Sequence, residues 1–169
     1  HRMGGLRFKL SPDGPFLDNN KEMASPPWVS IRELEQISLR LKDENVMDDP
    51  DYLKWLGMLV APGSSLGGAR PKASIVDEQG HLWIAKFPSG NDQFNVGAWE
   101  MVTYELAKAA GVNMAECKAQ QFSSKYHTFL TKRFDRASDG QRVHFASAMT
   151  MLGFVDGQEG ASYLDIVDF

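Results

Sequence analysis

The sequence predicts an α+β domain, an antiparallel sheet with helices packed against it. Three observations lead there. Ala73–Asp77 and Leu82–Phe87 are β-patterned runs that flank Glu78-Gln79-Gly80, a hairpin signal. Cys117–Ser123 and Thr128–Arg133 form a second such pair across Ser124-Lys125-Tyr126. Between the pairs, Trp99 to Ala110 is a helical stretch ending at Gly111, a good C-terminal cap. Strands that come in hairpins with a helix between them make an antiparallel sheet rather than a doubly wound one.

The other elements follow in chain order. Residues 9–29 are rich in Pro, Gly, Asn and Asp and read as an irregular segment. From Ser30 a helix is expected, because Ile31, Leu34, Ile37 and Leu41 recur at three- and four-residue steps. Glu33, three after Ser30, completes a capping box. A second helix is expected around Asp49 to Leu59, with Pro50 in its first turn and Leu53, Leu56 and Leu59 on one face. From His144 onward the chain reads as helical. The expected organisation is a linker segment over 1–29, a binding lobe over 30–136, and the start of a helical lobe over 137–169. The opening His1-Arg2 is no convincing start, and Ile166-Val167-Asp168-Phe169 stops inside an apolar pattern, so a piece of a longer protein, truncated at both ends, is expected.

Composition narrows the class. The 169 residues are 43% hydrophobic and 24% charged, ordinary for a globular chain able to bury a core. A net charge of −4 offers no broad attraction to nucleic acid or an anionic membrane. The lone Cys117 excludes an intrachain disulfide and, with no signal peptide or long apolar run, points to the cytoplasm. His1, His81, His127 and His144 stand at no metal-ligand spacing, so no metal site is expected from this chain alone.

The chemistry concentrates in Pro62-Gly63-Ser64-Ser65-Leu66-Gly67-Gly68-Ala69-Arg70-Pro71-Lys72 and the strand that carries Lys86. Small residues let backbone N–H groups approach phosphate oxygens, and a lysine supplies the charge those oxygens need. Gly63 and Gly68 have the spacing of a P-loop, but Ala69-Arg70 stands where Lys-Ser/Thr is required. A plain Gly/Ser turn is the competing reading of the loop, and a solvated strand lysine that of Lys86. Glu100, on the following helix, is the right kind of partner to hold Lys86. Loop, strand lysine and helix glutamate come in the order of a kinase nucleotide-binding lobe.

Ser65-Leu66-Gly67-Gly68-Ala69-Arg70-Pro71-Lys72 resembles the S-x-x-G-A/V-x-x-K loop of the HipA family of bacterial serine/threonine kinases, the toxins of type II toxin–antitoxin pairs. Ile84-Ala85-Lys86-Phe87-Pro88 is similar to the family's I-x-K-x-P strand, and Glu100 to Ala107 to its E-x-x-x-x-x-L-A helix. Leu130 to Arg136 resembles its E-R-F-D-R hallmark, and Met3 to Phe8 its M-G-A-L-R-F segment.

The resemblance implies a kinase-like N-lobe and hinge that bind ATP with Mg²⁺ and serve phosphorylation of a protein substrate, and it suggests a translation factor such as glutamyl-tRNA synthetase. It implies nucleotide contacts at Ser64, Ser65, Leu66, Gly67, Gly68, Lys72 and Lys86, with Glu100 pairing Lys86. It places an adenine hinge at Lys132 and Phe134, with contacts made by the backbone. It also aligns an autophosphorylated serine with Ser65, Ser64 being the competing position. A dianion there would repel nucleotide phosphates and act as a self-inactivating switch.

Two departures stand out. Lys132 replaces the family's common Glu, and Phe145-Ala146-Ser147 replaces its Gln-Glu-Asp. The catalytic Asp and the metal ligands would lie beyond Phe169, so this chain alone is expected to be inactive. A DNA-binding HipB-like antitoxin is the implied partner, with no direct nucleic-acid or membrane binding. The alternative is a non-catalytic, kinase-like module that docks an antitoxin or another chain.

Overall fold

The structure is a computed structural model that describes residues 4–17, 25–40, 59, 70–137, 139–155 and 157–169. Of the helix expected around Asp49–Leu59, only Leu59 falls among them. The expectation of an α+β fold holds: four antiparallel strands form one sheet, with helices on its two faces.

The first helix, α1, is Ile31–Arg40. A 3-10 turn over Trp28–Ser30 runs directly into it, and Ser30 N–H donates to Pro27 O at 3.0 Å. The expected capping box at Ser30 is therefore not the start of the helical chain. Pro27, extended at φ −69°, ψ 159°, is where the chain turns in.

The strands are β1 Lys72–Val76, β2 Leu82–Lys86, β3 Cys117–Gln120 and β4 Thr128–Lys132, ordered β1-β2-β4-β3. The first hairpin turns on Asp77, whose Oδ1 accepts from Gln79 N–H and His81 N–H. Gly80 takes φ +84° there, a conformation only glycine adopts without strain. The second long helix, α2, is Val96–Ala109, which begins three residues before the expected Trp99. It ends as expected at Gly111, which takes φ +82°. Val112 N–H bonds Ala107 O and Gly111 N–H bonds Lys108 O, a Schellman closure.

Alternation along the strands separates two cores. Ile31, Leu34 and Ile37 of α1 pack with Ala73, Ile75, Trp83, Ala85 and Leu130 on one face of the sheet. Tyr104 and Met101 of α2 pack with Cys117 and Phe129 on the other. Phe129 and Leu130 are adjacent, so they point to opposite faces. Burying a side chain such as Trp83 or Phe87 contributes on the order of 2–3 kcal/mol.

The expectation of a helical segment from His144 onward is corrected. Only α3 Ala148–Met151 and α4 Tyr163–Asp168 are helical among the described residues there. Gly153, Gly157 and Gly160 between them all take positive φ, which a right-handed helix cannot contain. A capping box does occur in this part: Ser162 Oγ accepts from Leu164 N–H while Asp165 Oδ2 accepts from Ser162 N–H.

Candidate functional site

The sheet brings three of the sequence-selected residues together. Lys72 and Lys86 are direct partners across β1 and β2. Partners in register point to the same face, so the two lysines rise from one side of the sheet and the charge of one acts on the other. Glu100 on α2 forms an ion pair with Lys86, its Oε2 accepting from Nζ. Lys86 Nζ also lies 5.4 Å from the centre of the Phe129 ring. Partial burial, together with the charges of Lys86 and Arg70, pushes Lys72 below the ordinary lysine range, only partly opposed by Glu100. The site is a concentration of positive charge on one face of the sheet.

Arg70 enlarges it. Its guanidinium grips Asp92 with both terminal nitrogens, at 3.1 Å and 2.6 Å, and Asp92 also accepts from Ser89 N–H. Arg70 Nε is buried with no hydrogen-bond partner among the described residues. This pair fastens the chain just before β1 to the segment between β2 and α2. It was not among the sequence-selected contacts.

The loop residues Ser64, Ser65, Leu66, Gly67 and Gly68 lie outside the described residues. Lys132 sits at the end of β4, opposite Trp83, and three residues from the partner of Lys86. An odd offset turns its side chain to the face opposite Lys86. Its N–H donates to Glu116 O, and Arg133 N–H donates to Leu82 O, both at 2.8 Å. Neither N–H is available to a ligand. Phe134 is exposed, and its ring meets Phe145 edge-on at 4.9 Å. Phe145 also lies against Gly4, and Ser147 caps α3 by accepting from Thr150 N–H, so the departing Phe145-Ala146-Ser147 makes local packing and capping contacts.

The end of β4 carries a buried polar knot that holds the N-terminal segment. Asp135 accepts from Arg133 Nε at 2.8 Å and Arg133 Nη2 at 2.7 Å, and from Arg136 Nη1 at 2.8 Å. Gly4 N–H donates to the same carboxylate at 2.7 Å, and Arg142 Nε donates to Gly4 O at 2.9 Å. Burial works to raise the Asp135 pKa, but the hydrogen bonds from Arg133 and Gly4 and the charges of Arg133 and Arg136 win, leaving it below the usual carboxylate value.

Sequence reasoning missed Glu35. Its carboxylate, fully buried on α1, accepts from Ser123 N–H and Oγ, Ser124 N–H and Thr128 Oγ1. A buried carboxylate is tolerable only when its oxygens are bonded in this way. A signal did exist, because Glu35 falls four residues after Ile31 and so on the inward stripe of α1. Among the described residues no group of three or more His, Cys, Asp and Glu could hold a metal ion, and no helix is long and apolar enough to cross a membrane.

The geometry defines an α+β lobe whose sheet presents clustered cations beside an acid-bearing helix. Residues 64–169 match the HipA-like C-terminal domain family, and the chain belongs to that family. Comparison with curated proteins and with solved structures gave no match.

Proposed function

We propose that this chain is the ATP-binding part of a HipA-like serine/threonine protein kinase. The HipA family is generally a kinase family, which supports phosphoryl transfer as the reaction class. One observation carries the reading: Lys72 and Lys86 are partners in register on the sheet, and Glu100 pairs with Lys86 beside them. Two lysines on one face of the sheet favour an anion there, and a polyphosphate chain supplies such an anion. Glu100 holds the Lys86 ammonium in place, and the small-residue loop before β1 would bring backbone N–H groups to the same phosphates.

On this reading Ser65 is the autophosphorylation site, and Lys132 and Phe134 flank the adenine. Because the N–H groups of Lys132 and Arg133 are spent within the sheet, the hinge contact falls to carbonyls and to the backbone from Phe134 onward. Mg²⁺ would accompany the nucleotide, and among the described residues no group of three or more His, Cys, Asp and Glu could hold it. The reading includes a cytoplasmic location, a protein substrate and a HipB-like antitoxin as partner.

Titration calorimetry of the chain with ATP tests the core of the proposal. Wild type is expected to bind, and Lys86→Met to lose most of the affinity while keeping its far-UV spectrum. Equal binding by the two would overturn it. Incubation with ATP and Mg²⁺ is expected to give no turnover by this chain alone.

A further inference from the structure

Building on the nucleotide-binding reading, we infer that Asn95 and His127 form a clamp that fixes where α2 presents Glu100 to Lys86. Asn95 is the N-cap of α2, and its Oδ1 accepts from Ala98 N–H at 3.1 Å. The same oxygen accepts from His127 N–H at 3.0 Å. Two backbone donors on Oδ1 settle the orientation of the amide, so it is Nδ2 that meets His127 Nδ1, at 2.7 Å. An amide nitrogen only donates; Nδ1 is therefore the acceptor, and the ring proton resides on Nε2. Two residues further on, Gly97 approaches His127 so closely that an added Cβ would stand 2.1 Å from its carbonyl oxygen.

Apart from the cap itself, these contacts join the start of α2 to one residue of the β3–β4 loop. Glu35 grips that loop from the other side through Ser123, Ser124 and Thr128. Glu100 lies on the next turn of α2. Capping α2 requires only an oxygen acceptor, which serine supplies as well as asparagine. The Nδ2 donation to His127 adds nothing to the cap and instead ties the helix to the loop. Asn95 and His127 are positioning residues: they act on the phosphate site through Glu100.

The test measures ATP affinity by calorimetry for wild type, Asn95→Ser, His127→Ala, Glu100→Gln and the Asn95→Ser/Glu100→Gln double variant. Asn95→Ser keeps the cap and is expected to retain wild-type helicity by circular dichroism. Its affinity is expected to fall about three- to thirtyfold, inside the range of coupled neighbours, and His127→Ala is expected to match it. In the Glu100→Gln background Asn95→Ser is expected to change nothing further. An unchanged affinity in Asn95→Ser, or an equal loss in both backgrounds, overturns the clamp. If wild type binds no ATP, the nucleotide reading fails, and the clamp is then read from side-chain NMR of the free chain. Asn95→Ser shifts the Lys86 and Glu100 signals if the clamp positions them; unmoved signals overturn it.

Discussion

Asp135 shows at residue scale how burial and charge combine. Its carboxylate is fully buried, yet two arginines and the Gly4 N–H keep it ionised. Removing one partner of a buried pair leaves the other uncompensated, so Asp135→Asn should cost about 3–5 kcal/mol in urea unfolding at neutral pH. The folded-state pKa is depressed, so the stabilisation is complete above the unfolded value near ~3.9 and lost as pH falls through the folded one. Melting curves of wild type should therefore drop steeply below about pH 4, and those of Asp135→Asn less so. At the candidate site, Glu100→Gln keeps the Lys86 charge but weakens its hold, so ATP affinity should fall less than in Lys86→Met. Calorimetry of both variants checks that order. The pairing of Lys86 with Glu100 was legible in the sequence because strand lysine and helix glutamate are types that need each other. The Asp135 knot was legible only in part: Arg136 could be foreseen from adjacency, whereas Gly4 approaches from the far end of the chain.

Helix α2 is the element on which the site depends. Its C-terminal end was readable from Gly111, because a left-handed residue closes a Schellman motif locally. Its N-terminal end was not, since Asn95 is selected by a loop over thirty positions away as well as by the helix it caps. Gly97 is required by that approach and not by its own backbone. Gly97→Ala should cost about 1–3 kcal/mol, the usual penalty of overpacking, measured by chemical denaturation. An alanine at Gly97 that leaves stability unchanged would mean that α2 can move away from His127 freely. Helix α1 teaches the same lesson from inside: its apolar stripe was predicted, but Glu35 within that stripe was not. What a polar side chain on a buried face bonds to is decided by other elements.

At the scale of the molecule, the described residues bury most of their core on the sheet. β2 and β4 are central strands paired on both sides, whereas α3 and α4 are short and bury no residue. Amide exchange should accordingly show the strongest protection in Leu82–Lys86 and Thr128–Lys132 and the weakest in Ala148–Met151 and Tyr163–Asp168, because exposed helices of one or two turns gain little from packing. Slow exchange in Tyr163–Asp168 would contradict this. Local pattern was enough to establish the α+β class, both hairpins, most of α1 and α2, and the residue types of the Lys86–Glu100 pair. Those features depend on neighbours a few positions apart. The strand order, the facing of Lys72 and Lys86, the orientation of Lys132 away from them, and the clamp between Asn95 and His127 depend on residues that only folding makes neighbours. A sequence carries periodicity; register across a sheet and the burial of one charge against another exist only once the chain has closed on itself.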